Sequence, residues 1–242
     1  MTMADQYSRT RLLLGDDALS RLRNAHVALF GLGGVGGYAA EALARSGVGK
    51  IDLIDHDTIS LTNLNRQILA THDTVGQYKV DAAAQRIHSI DPSIQVRTFR
   101  TFYLPETAGE FDFAQYDYVL DAIDTVTGKL SIISAAKAAG VPVISCMGTG
   151  NKLDASAFEV ADISKTSGCA LARVMRKECA KRGLKDIPVV YSKELPLSPD
   201  ADPEEPTPEG SSRRSLPGSL AFVPGAAGLI MAGHVILALS KM

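Results

Sequence analysis

The feature that most constrains the fold of this chain is the glycine run GLGGVG at residues 31–36. An apolar segment with the character of a β-strand, residues 25–30, leads directly into the run, and a helical pattern, residues 37–45, follows it. A G-x-G-x-x-G pattern between a strand and a helix is typical of a phosphate-binding loop, because the helix N-terminus carries a partial positive charge. The run therefore predicts an α/β fold that binds a nucleotide.

The glycines of this run have separate tasks in such a loop. Gly31 permits the tight turn, Gly33 lets backbone N–H groups approach a phosphate, and Gly36 lets the helix pack closely on the strand. About twenty residues later, Asp55 ends a second strand, where its carboxylate can accept hydrogen bonds from ribose hydroxyls. Glycines used only for packing are the alternative, but strand, loop, helix and acid occur together here. We therefore expect Gly31, Gly33, Gly34, Gly36 and Asp55 to bind the nucleotide, and the pattern leaves both NAD and ATP open.

The rest of the chain indicates the fold class. Strand-like and helical segments alternate as far as residue 150, which is typical of a mainly parallel sheet covered by helices on both faces. We thus predict a doubly wound, Rossmann-like α/β fold. Beyond residue 150 the alternation breaks, and this change predicts an irregular, antiparallel C-terminal extension. The predicted strands are residues 25–30, 50–55, 94–99, 116–124, 141–146, 157–162 and 187–192, and the predicted helices are residues 37–45, 79–90, 130–139 and 169–182.

The length of 242 residues and the 45% hydrophobic composition suffice for one large domain with a core of its own. We predict a single domain over residues 1–242, with a nucleotide-binding core at 1–150 and a C-terminal portion at 151–242. Residues 196–217 of that portion are acidic and hold six of the eleven prolines, which predicts a flexible surface loop.

The uncharged segment at residues 220–239 raises the question of a membrane span. Pro224 and Gly225 are expected to split it into a short strand-like piece and a helix of about fifteen residues. Such a helix reaches only ~22 Å against a hydrocarbon core of ~30 Å. We therefore favour a buried helix over a membrane anchor and expect no stable membrane insertion, while a weak membrane affinity stays open.

Charge and cysteine content indicate which partners and which cellular compartment suit the protein. The formal net charge of -2 gives no global attraction to nucleic acid or to an anionic membrane. Cys146, Cys169 and Cys179 form no Cys-x-x-Cys pair, and their odd number argues against a disulfide framework. Because the first residues also lack the apolar stretch of a signal peptide, we expect a cytoplasmic protein.

The run NLNRQ at residues 63–67 adds chemistry that NAD binding does not require. An enzyme that splits a triphosphate must neutralise the charge that moves onto the leaving group, and Arg66 and Lys79 suit that task. Asn63 and Gln67 can hold phosphate oxygens or the arginine itself. Each cation alone would rather be a solvated helix residue, so the prediction of a split nucleotide depends on the whole group.

Two carboxylates at the end of the fourth predicted strand complete this group. Asp121 and Asp124, in the run DAID, lie at the edge of the sheet where ligands of open α/β folds bind. One of them can hold Mg²⁺, which offsets phosphate repulsion and orients the triphosphate. Caps of the strand end are the plainer alternative.

Five motifs together carry a resemblance to a known superfamily. They are YSR, GLGGVG, DHDTISLTNLNRQ, GQYK and DAID, in this order over residues 7–146. In this combination the chain resembles the ubiquitin-activating-like superfamily of ThiF and MoeB type adenylating proteins. The resemblance implies that a substrate carboxylate attacks the α-phosphorus of ATP, which gives an acyl-adenylate and pyrophosphate.

The same resemblance implies roles for individual residues. Arg9 would reach the γ-phosphate from the other subunit of a homodimer, and Arg11, two residues away, is the alternative for this role. The catalytic residues implied by the resemblance are Arg9, Arg66, Lys79 and Asp124. The implied roles there are ribose binding for Asp55, phosphate binding for Asn63, Arg66 and Gln67, triphosphate binding for Lys79, and Mg²⁺ coordination for Asp124.

The second half of the chain narrows the resemblance to one branch. Relatives that activate sulfur-carrier proteins usually hold structural zinc on two Cys-x-x-Cys pairs, which this chain lacks, so we expect no zinc. Residues 151–183, together with VVYSKE and GSLAFVPGAAGLIMAGHVI, resemble the tRNA threonylcarbamoyladenosine dehydratases. The implied partner is a tRNA that carries threonylcarbamoyladenosine. ATP would activate its threonyl carboxylate, and a nitrogen of the same group would close a five-membered ring with net loss of water.

A basic stretch at residues 165–193 fits such a substrate. It contains eight Lys or Arg residues against Glu178 and Asp186, and it could contact tRNA phosphates. A solvated charged face is an equal alternative. Cys169 in this stretch could form a thioester, but we favour a structural role for it.

Other functions stay open from the sequence. One is adenylyl transfer to the C-terminal glycine of a small sulfur-carrier protein, and another is a non-catalytic nucleotide-binding scaffold. NAD-dependent reduction is the least favoured, because it offers no task for Arg66, Lys79 or Asp124.

Overall fold

The computed structural model of the protein describes residues 5–198 and 217–241. Within these residues, strands and α-helices alternate over most of the chain, as the sequence predicts, but only short 3₁₀ turns separate the third strand from the fourth and the fifth from the sixth. The strands are β1 His26–Phe30, β2 Lys50–Ile54, β3 Gln95–Phe99, β4 Tyr118–Asp121, β5 Val143–Cys146, β6 Phe158–Asp162 and β7 Pro188–Ser192, and the helices are α1 Ser8–Asn24, α2 Gly36–Arg45, α3 Lys79–Ile90, α4 Val126–Ala138, α5 Ala170–Lys181 and α6 Phe222–Leu239.

The strands form one seven-stranded sheet in the order β3-β2-β1-β4-β5-β7-β6. All neighbouring pairs are parallel except β6 and β7. The order of the strands reverses between β1 and β4, and in open α/β sheets the crevice at such a point binds ligands. The prediction of a doubly wound, mainly parallel α/β fold is confirmed.

The alternation of side chains along β1 divides the interior into two cores. Val27 and Leu29 point to one face of the sheet, where they join a cluster with α2, α3 and α6. Ala28 and Phe30 point to the other face and pack with α4 and α5. Because both faces are buried, the central strands consist mostly of apolar residues, as expected for a parallel sheet, and Asp52, Asp121 and Ser145 are buried polar exceptions.

The C-terminal extension is partly antiparallel, as predicted, but it continues the central sheet. β7 pairs in parallel with β5, where Ser145 faces Val189. β6 then pairs in antiparallel fashion with β7 and forms the edge of the sheet. Most of the proline-rich loop predicted at 196–217 lies outside the described residues.

The prediction that Pro224 and Gly225 interrupt the last apolar segment is wrong. α6 runs without a break over Phe222–Leu239, and both residues lie in its first turn. Backbone N–H groups of a first turn have no acceptor within the helix, so a proline there removes no hydrogen bond.

α6 is also long and apolar enough to cross a membrane, by length and composition alone. The expectation that this helix is too short to span a bilayer is therefore wrong, since α6 has 18 residues. The burial of α6 nevertheless favours a core helix over a membrane anchor. Of this helix, 56% is buried inside the structure, and it packs along α2. Core helices of soluble proteins pass the same test for apolar length, so length and composition are only weak support for a membrane span.

The sequence does not predict α1. Only Ala18, Leu19 and Leu22 of this helix are buried, so its apolar pattern is weak. Gly15, with φ of 82°, also divides it into two helical segments. Elsewhere the errors are confined to the ends of elements: β4 stops at Asp121, and α4 starts one turn earlier than expected.

Candidate active site

The glycine loop joins β1 to α2 beside the point where the strand order reverses. Gly31 has φ of 89°, and a Cβ there would lie 2.8 Å from the carbonyl group of Ala122, so the position requires glycine. A Cβ at Gly36 would lie 1.8 Å from the carbonyl oxygen of Gly31, so α2 packs directly on the loop. At Gly33, by contrast, the nearest atom to a Cβ is Gln67 Nε2 at 4.0 Å. The loop therefore leaves space on the side of Gly33.

Asp55 connects the glycine loop to the segment that follows β2. Its Oδ2 accepts a hydrogen bond of 2.6 Å from the backbone N–H of Leu32. Its Oδ1 accepts one of 2.8 Å from the backbone N–H of Asp57. Because each carboxylate oxygen has a second lone pair, Asp55 keeps the capacity to accept from ribose hydroxyls.

The NLNRQ run forms a compact turn next to the glycine loop. Its first residue ends the short 3₁₀ helix Leu61–Asn63, where Asn63 Oδ1 accepts from the backbone N–H of Ser60 at 3.2 Å. Arg66 donates to the carbonyl oxygen of Thr62 at 2.9 Å. Gln67 is buried, and its Oε1 has no hydrogen-bond partner among the described residues. A buried polar atom without a partner is costly, so its position beside Gly33 suits a ligand that supplies a donor.

Lys79, the first residue of α3, is only 5% exposed. Its Nζ donates to Asp57 Oδ2 at 2.6 Å. Asp57 in turn reaches the glycine loop through Asp55, so the ammonium group is held at the nucleotide edge of the sheet. The sequence alone does not indicate a role for Asp57. Its position two residues after Asp55, in the run DHD, is the sequence feature that could have indicated its place at the site.

Asp121 and Asp124 differ sharply in environment. Asp121 is fully buried, and Lys129 Nζ lies 3.1 Å from its Oδ2. Burial raises the pKa of the Asp121 carboxyl, while the Lys129 ammonium group and the Ser145 hydroxyl act in the opposite direction. Asp124 is exposed in the loop after β4. Of these two carboxylates, only that of Asp124 is therefore reached by solvent.

The two arginines near the start of α1 are also placed differently. Arg11 donates to Asp5 at 2.9 Å and to Asp16 at 2.7 Å, so its guanidinium group is engaged within its own segment. Arg9 is exposed. Tyr7 anchors this segment, because its buried hydroxyl donates to Asp91 at 2.6 Å. Burial, followed by the Asp91 carboxylate, raises the pKa of Tyr7 to about 12.

The basic stretch is only partly available for a ligand. Glu178 binds Lys181 and Arg182, and Lys193 pairs with Glu159. Three cations, Arg173, Lys177 and Lys181, follow one another at intervals of four residues along the exposed side of α5. Adjacent residues of this spacing share one face of a helix, so these three form a basic stripe.

The cysteines contribute no reactive group to this site. Cys146, Cys169 and Cys179 are all buried as free thiols, and burial raises the pKa of Cys146 to about 12. Cys169 lies at the start of α5, where its Sγ is 3.6 Å from the Cβ that an alanine at Gly148 would have. This placement is in keeping with a structural role for Cys169.

The donor chemistry of the site fits a triphosphate with Mg²⁺. The N-terminus of α2 and the ammonium group of Lys79 suit phosphate groups, and the exposed carboxylate of Asp124 is the kind of oxygen ligand that Mg²⁺ prefers. Among the described residues, one further group of possible metal ligands occurs, at Asp55, His56 and Asp57, with ligand atoms within 4.8 Å of one another. Its carboxylates are already bonded to Leu32 and Lys79. The expected absence of zinc stays a prediction.

Comparison with known proteins extends this picture to the whole chain. A family model described as "ThiF family" matches residues 7–242. The chain is 44% identical over 244 aligned residues to the "tRNA threonylcarbamoyladenosine dehydratase" of Bacillus subtilis (strain 168), covering 99% of this chain and 96% of that protein. It is 33% identical to the protein of the same name from Escherichia coli (strain K12), covering 98% and 93%.

A solved structure of the Escherichia coli tRNA N6-threonylcarbamoyladenosine dehydratase in complex with ATP resembles this fold, with a TM-score of 0.87 and 30% sequence identity. The superposition covers 100% of this chain and 98% of the other. The similarity therefore includes the C-terminal extension as well as the nucleotide-binding half.

Proposed function

The chain belongs to the ThiF family, and we propose that it is an ATP-dependent tRNA threonylcarbamoyladenosine dehydratase. The substrate is the threonylcarbamoyl group on an adenosine of tRNA. Its carboxylate attacks the α-phosphorus of ATP, so that pyrophosphate leaves and an acyl-adenylate forms. A nitrogen of the same group then attacks the activated carbonyl carbon and loses its proton, while the former carboxylate oxygen departs on AMP. The nucleoside has then lost the elements of water.

The observation that carries this proposal is the buried ammonium group of Lys79 beside the glycine loop. Hydrogen bonds from Leu32 to Asp55, from Asp57 to Asp55 and from Lys79 to Asp57 connect the two without a break. A fixed cation at a phosphate-binding loop stabilises the charge that develops on departing pyrophosphate. Transfer of a hydride would leave the pyrophosphate of NAD intact and would give this cation no task.

The other side chains of the candidate site bind the phosphates, the ribose and the metal in this proposal. Arg66 and Gln67 contact the phosphates from the NLNRQ turn, together with Asn63. Asp55 accepts from the ribose, and Gly31, Gly33, Gly34 and Gly36 shape the loop around the phosphates. Mg²⁺ held by Asp124 would offset the charge of the phosphate oxygens. Ring closure needs no nucleophile from the protein, because both reacting groups belong to one substituent.

The proposal also includes the oligomeric state of the enzyme, its macromolecular partner and its location in the cell. We expect a homodimer in which the exposed Arg9 of one subunit reaches the γ-phosphate in the other. The tRNA is the macromolecular partner, and the basic stripe on α5 is the surface offered to its phosphates. We expect the enzyme to act in the cytoplasm.

The proposal is tested by incubating the protein with ATP, Mg²⁺ and tRNA that carries threonylcarbamoyladenosine. The tRNA is then digested and its nucleosides are analysed by mass spectrometry. We expect a nucleoside lighter by one water, formed only with ATP, together with AMP and pyrophosphate. If folded protein that binds ATP forms no such nucleoside, the proposal is wrong. Pyrophosphate release with a small sulfur-carrier protein in place of tRNA would instead favour the carrier-activating alternative.

A further inference from the structure

A fully buried ion pair lies under the candidate nucleotide site. Lys129 and Asp121 both have no exposed side-chain surface, and Lys129 Nζ lies 3.2 and 3.1 Å from the two oxygens of Asp121. Ser145 Oγ donates to Asp121 Oδ2 at 2.5 Å, and Lys129 Nζ also donates to the carbonyl oxygen of Cys146 at 2.7 Å. The charges of this cluster are therefore compensated entirely within the protein.

The cluster connects three elements at one edge of the sheet. Asp121 is the last residue of β4, Lys129 lies in the first turns of α4, and Ser145 and Cys146 end β5. The loop of residues 122–125 joins β4 to α4 and contains Asp124. Its start and its end are thus both fixed by this one cluster.

Contacts within the loop leave it little freedom. The backbone N–H of Ile123 donates to Asp121 Oδ1 at 3.2 Å, and that of Ala122 donates to the carbonyl oxygen of Phe30 at 2.8 Å. A Cβ at Gly128 would lie 2.5 Å from Ile123 Cδ1 and 2.7 Å from Thr125 Oγ1, so the loop folds closely against α4. Ala122 also lies against Gly31 of the glycine loop. The position of Asp124 relative to the glycine loop therefore depends on the Lys129 cluster.

Stability alone does not explain such a cluster. Desolvation of two charges costs about as much as their attraction returns, and apolar residues of similar volume often replace a buried pair without loss of stability. Partners that orient a metal ligand have a different effect, because their removal weakens metal binding by about 10–100-fold.

We infer that Lys129 is a positioning residue, which acts through Asp121 to fix the 122–125 loop and thereby to present Asp124 to the metal of the bound nucleotide. Lys129 itself touches neither ATP nor substrate. The inference rests on the proposed function, in which Asp124 holds Mg²⁺.

The inference is tested by replacing the whole cluster with apolar side chains, in the triple variant Asp121→Val, Lys129→Met and Ser145→Ala. Calorimetry then measures the Kd of ATP with and without Mg²⁺ for this variant and for the unchanged protein. We expect the affinity in the presence of Mg²⁺ to fall about 10–100-fold, and the affinity in its absence to change far less. A variant that has lost only structural support would weaken both affinities equally.

A matched control removes another ion pair that lies away from this loop. Asp52 on β2 pairs with Arg97 on β3, on the far side of β1 from β4. We expect the double variant Asp52→Leu and Arg97→Met to retain the Mg²⁺-dependent affinity for ATP.

The outcomes separate this inference from the function on which it rests. If the unchanged protein shows no affinity for ATP with Mg²⁺, the proposed function fails. If it binds and the triple variant binds equally well with Mg²⁺, the inference is overturned. Should the triple variant not fold, Lys129→Arg decides, since it keeps the charge but changes the geometry: a reduced affinity only with Mg²⁺ supports the inference, and an unchanged affinity overturns it.

Discussion

At the scale of single residues, the candidate site depends on side chains whose charges are held in place by the backbone of neighbouring segments. Asp55 has both oxygens bonded to backbone N–H groups, and Asp57 then orients Lys79. A carboxylate fixed in this manner does not need to reorganise when a nucleotide arrives. Preorganised charge of this kind is the main source of electrostatic catalysis.

Replacement of Lys79 tests this arrangement. We expect Lys79→Ala to reduce the rate of pyrophosphate release by at least about 100-fold, because the charge on the leaving group loses its fixed cation. Binding of tRNA should persist, since the buried Lys79 is not on the surface offered to it. Lys50→Ala is the control, because Lys50 is exposed at the amino end of β2 and thus at the opposite edge of the sheet. Turnover of Lys79→Ala close to that of Lys50→Ala would contradict the assignment.

The sequence predicts where several side chains of the candidate site lie, because consecutive motifs determine which residues follow each strand, while their roles in binding and catalysis stay predictions. Lys79, Asn63 and Gln67 are examples whose burial at the site could be expected from their motifs. The roles of Asp57 and Lys129 could not be predicted. Each depends on a contact between segments that are separate in the chain, and spacing alone does not show which polar groups meet in the folded state.

At the scale of elements, α2 and α6 are packed more closely than helices with larger side chains allow. A Cβ at Gly228 would lie 2.2 Å from the carbonyl oxygen of Val35 and 3.1 Å from Tyr38 Cβ. The sequence does not predict this contact, because the apolar pattern of one segment does not show which other helix it packs against. Glycines are costly within a helix but allow this approach of the two backbones.

Two substitutions in α6 measure the contribution of that contact. Gly228→Ala should lower the free energy of unfolding by about 1–3 kcal/mol through overpacking. Gly233→Ala in the same helix should leave it unchanged or raise it by about 0.4–1 kcal/mol, because a Cβ there meets nothing within 4 Å. Thermal unfolding of both variants provides the measurement. Equal effects of the two substitutions would show that α6 does not pack on α2 in this way.

The basic stripe on α5 leads to a prediction about tRNA. We expect the double variant Arg173→Ala and Lys177→Ala to weaken tRNA binding and to reduce the slope of log affinity against log salt concentration by about one for each phosphate that the variant no longer neutralises. Filter binding at several salt concentrations measures this slope. The matched control, Arg23→Ala with Lys50→Ala, removes the same number of charges from the amino edge of the sheet. An equal loss of tRNA affinity in both variants would show that the α5 stripe is a solvated face that does not bind tRNA.

At the scale of the whole molecule, segments that are far apart in the sequence contact one another. Arg21 in α1 donates two hydrogen bonds, of 2.9 and 2.6 Å, to the carbonyl oxygen of Ser240 after α6. β7 adds the C-terminal extension to the central sheet. These contacts support the prediction of a single domain, which cooperative unfolding in a single transition would confirm.

A mixed dimer tests whether Arg9 acts across subunits. Arg9→Ala and Lys79→Ala are each expected to be inactive alone. Mixed in equal amounts after subunit exchange, they should regain roughly a quarter of the unchanged activity, since about half of the dimers then contain one complete site. No recovery despite exchange of subunits would mean that Arg9 acts within its own chain or has no catalytic part.

The free energy of unfolding should decrease as the pH falls below about 4. Although burial acts to raise it, the pKa of the Asp52 carboxyl is held below its usual value of 3.8 by Arg97, followed by His26 and Tyr116. The folded state then binds fewer protons than the unfolded state, so the contribution of Asp52 is present above this value and is lost as pH falls through the lowered pKa. Denaturant unfolding between neutral pH and pH ~3 measures it. Asp52→Asn should flatten the acid dependence, and the exposed Asp17→Asn should not.

The contact between Pro224 and the glycine loop affects the order in which the nucleotide site can be completed. A Cβ at Gly34 would lie 3.1 Å from side-chain atoms of Pro224, so the start of α6 closes one wall of the loop. A ribosome synthesises Gly34 long before Pro224, and strands β2 to β7, the NLNRQ turn and Asp124 are synthesised in between. A nascent chain that already holds all its phosphate-binding residues therefore still lacks this wall. We therefore expect full affinity for nucleotide only once α6 has left the exit tunnel and folded back onto α2.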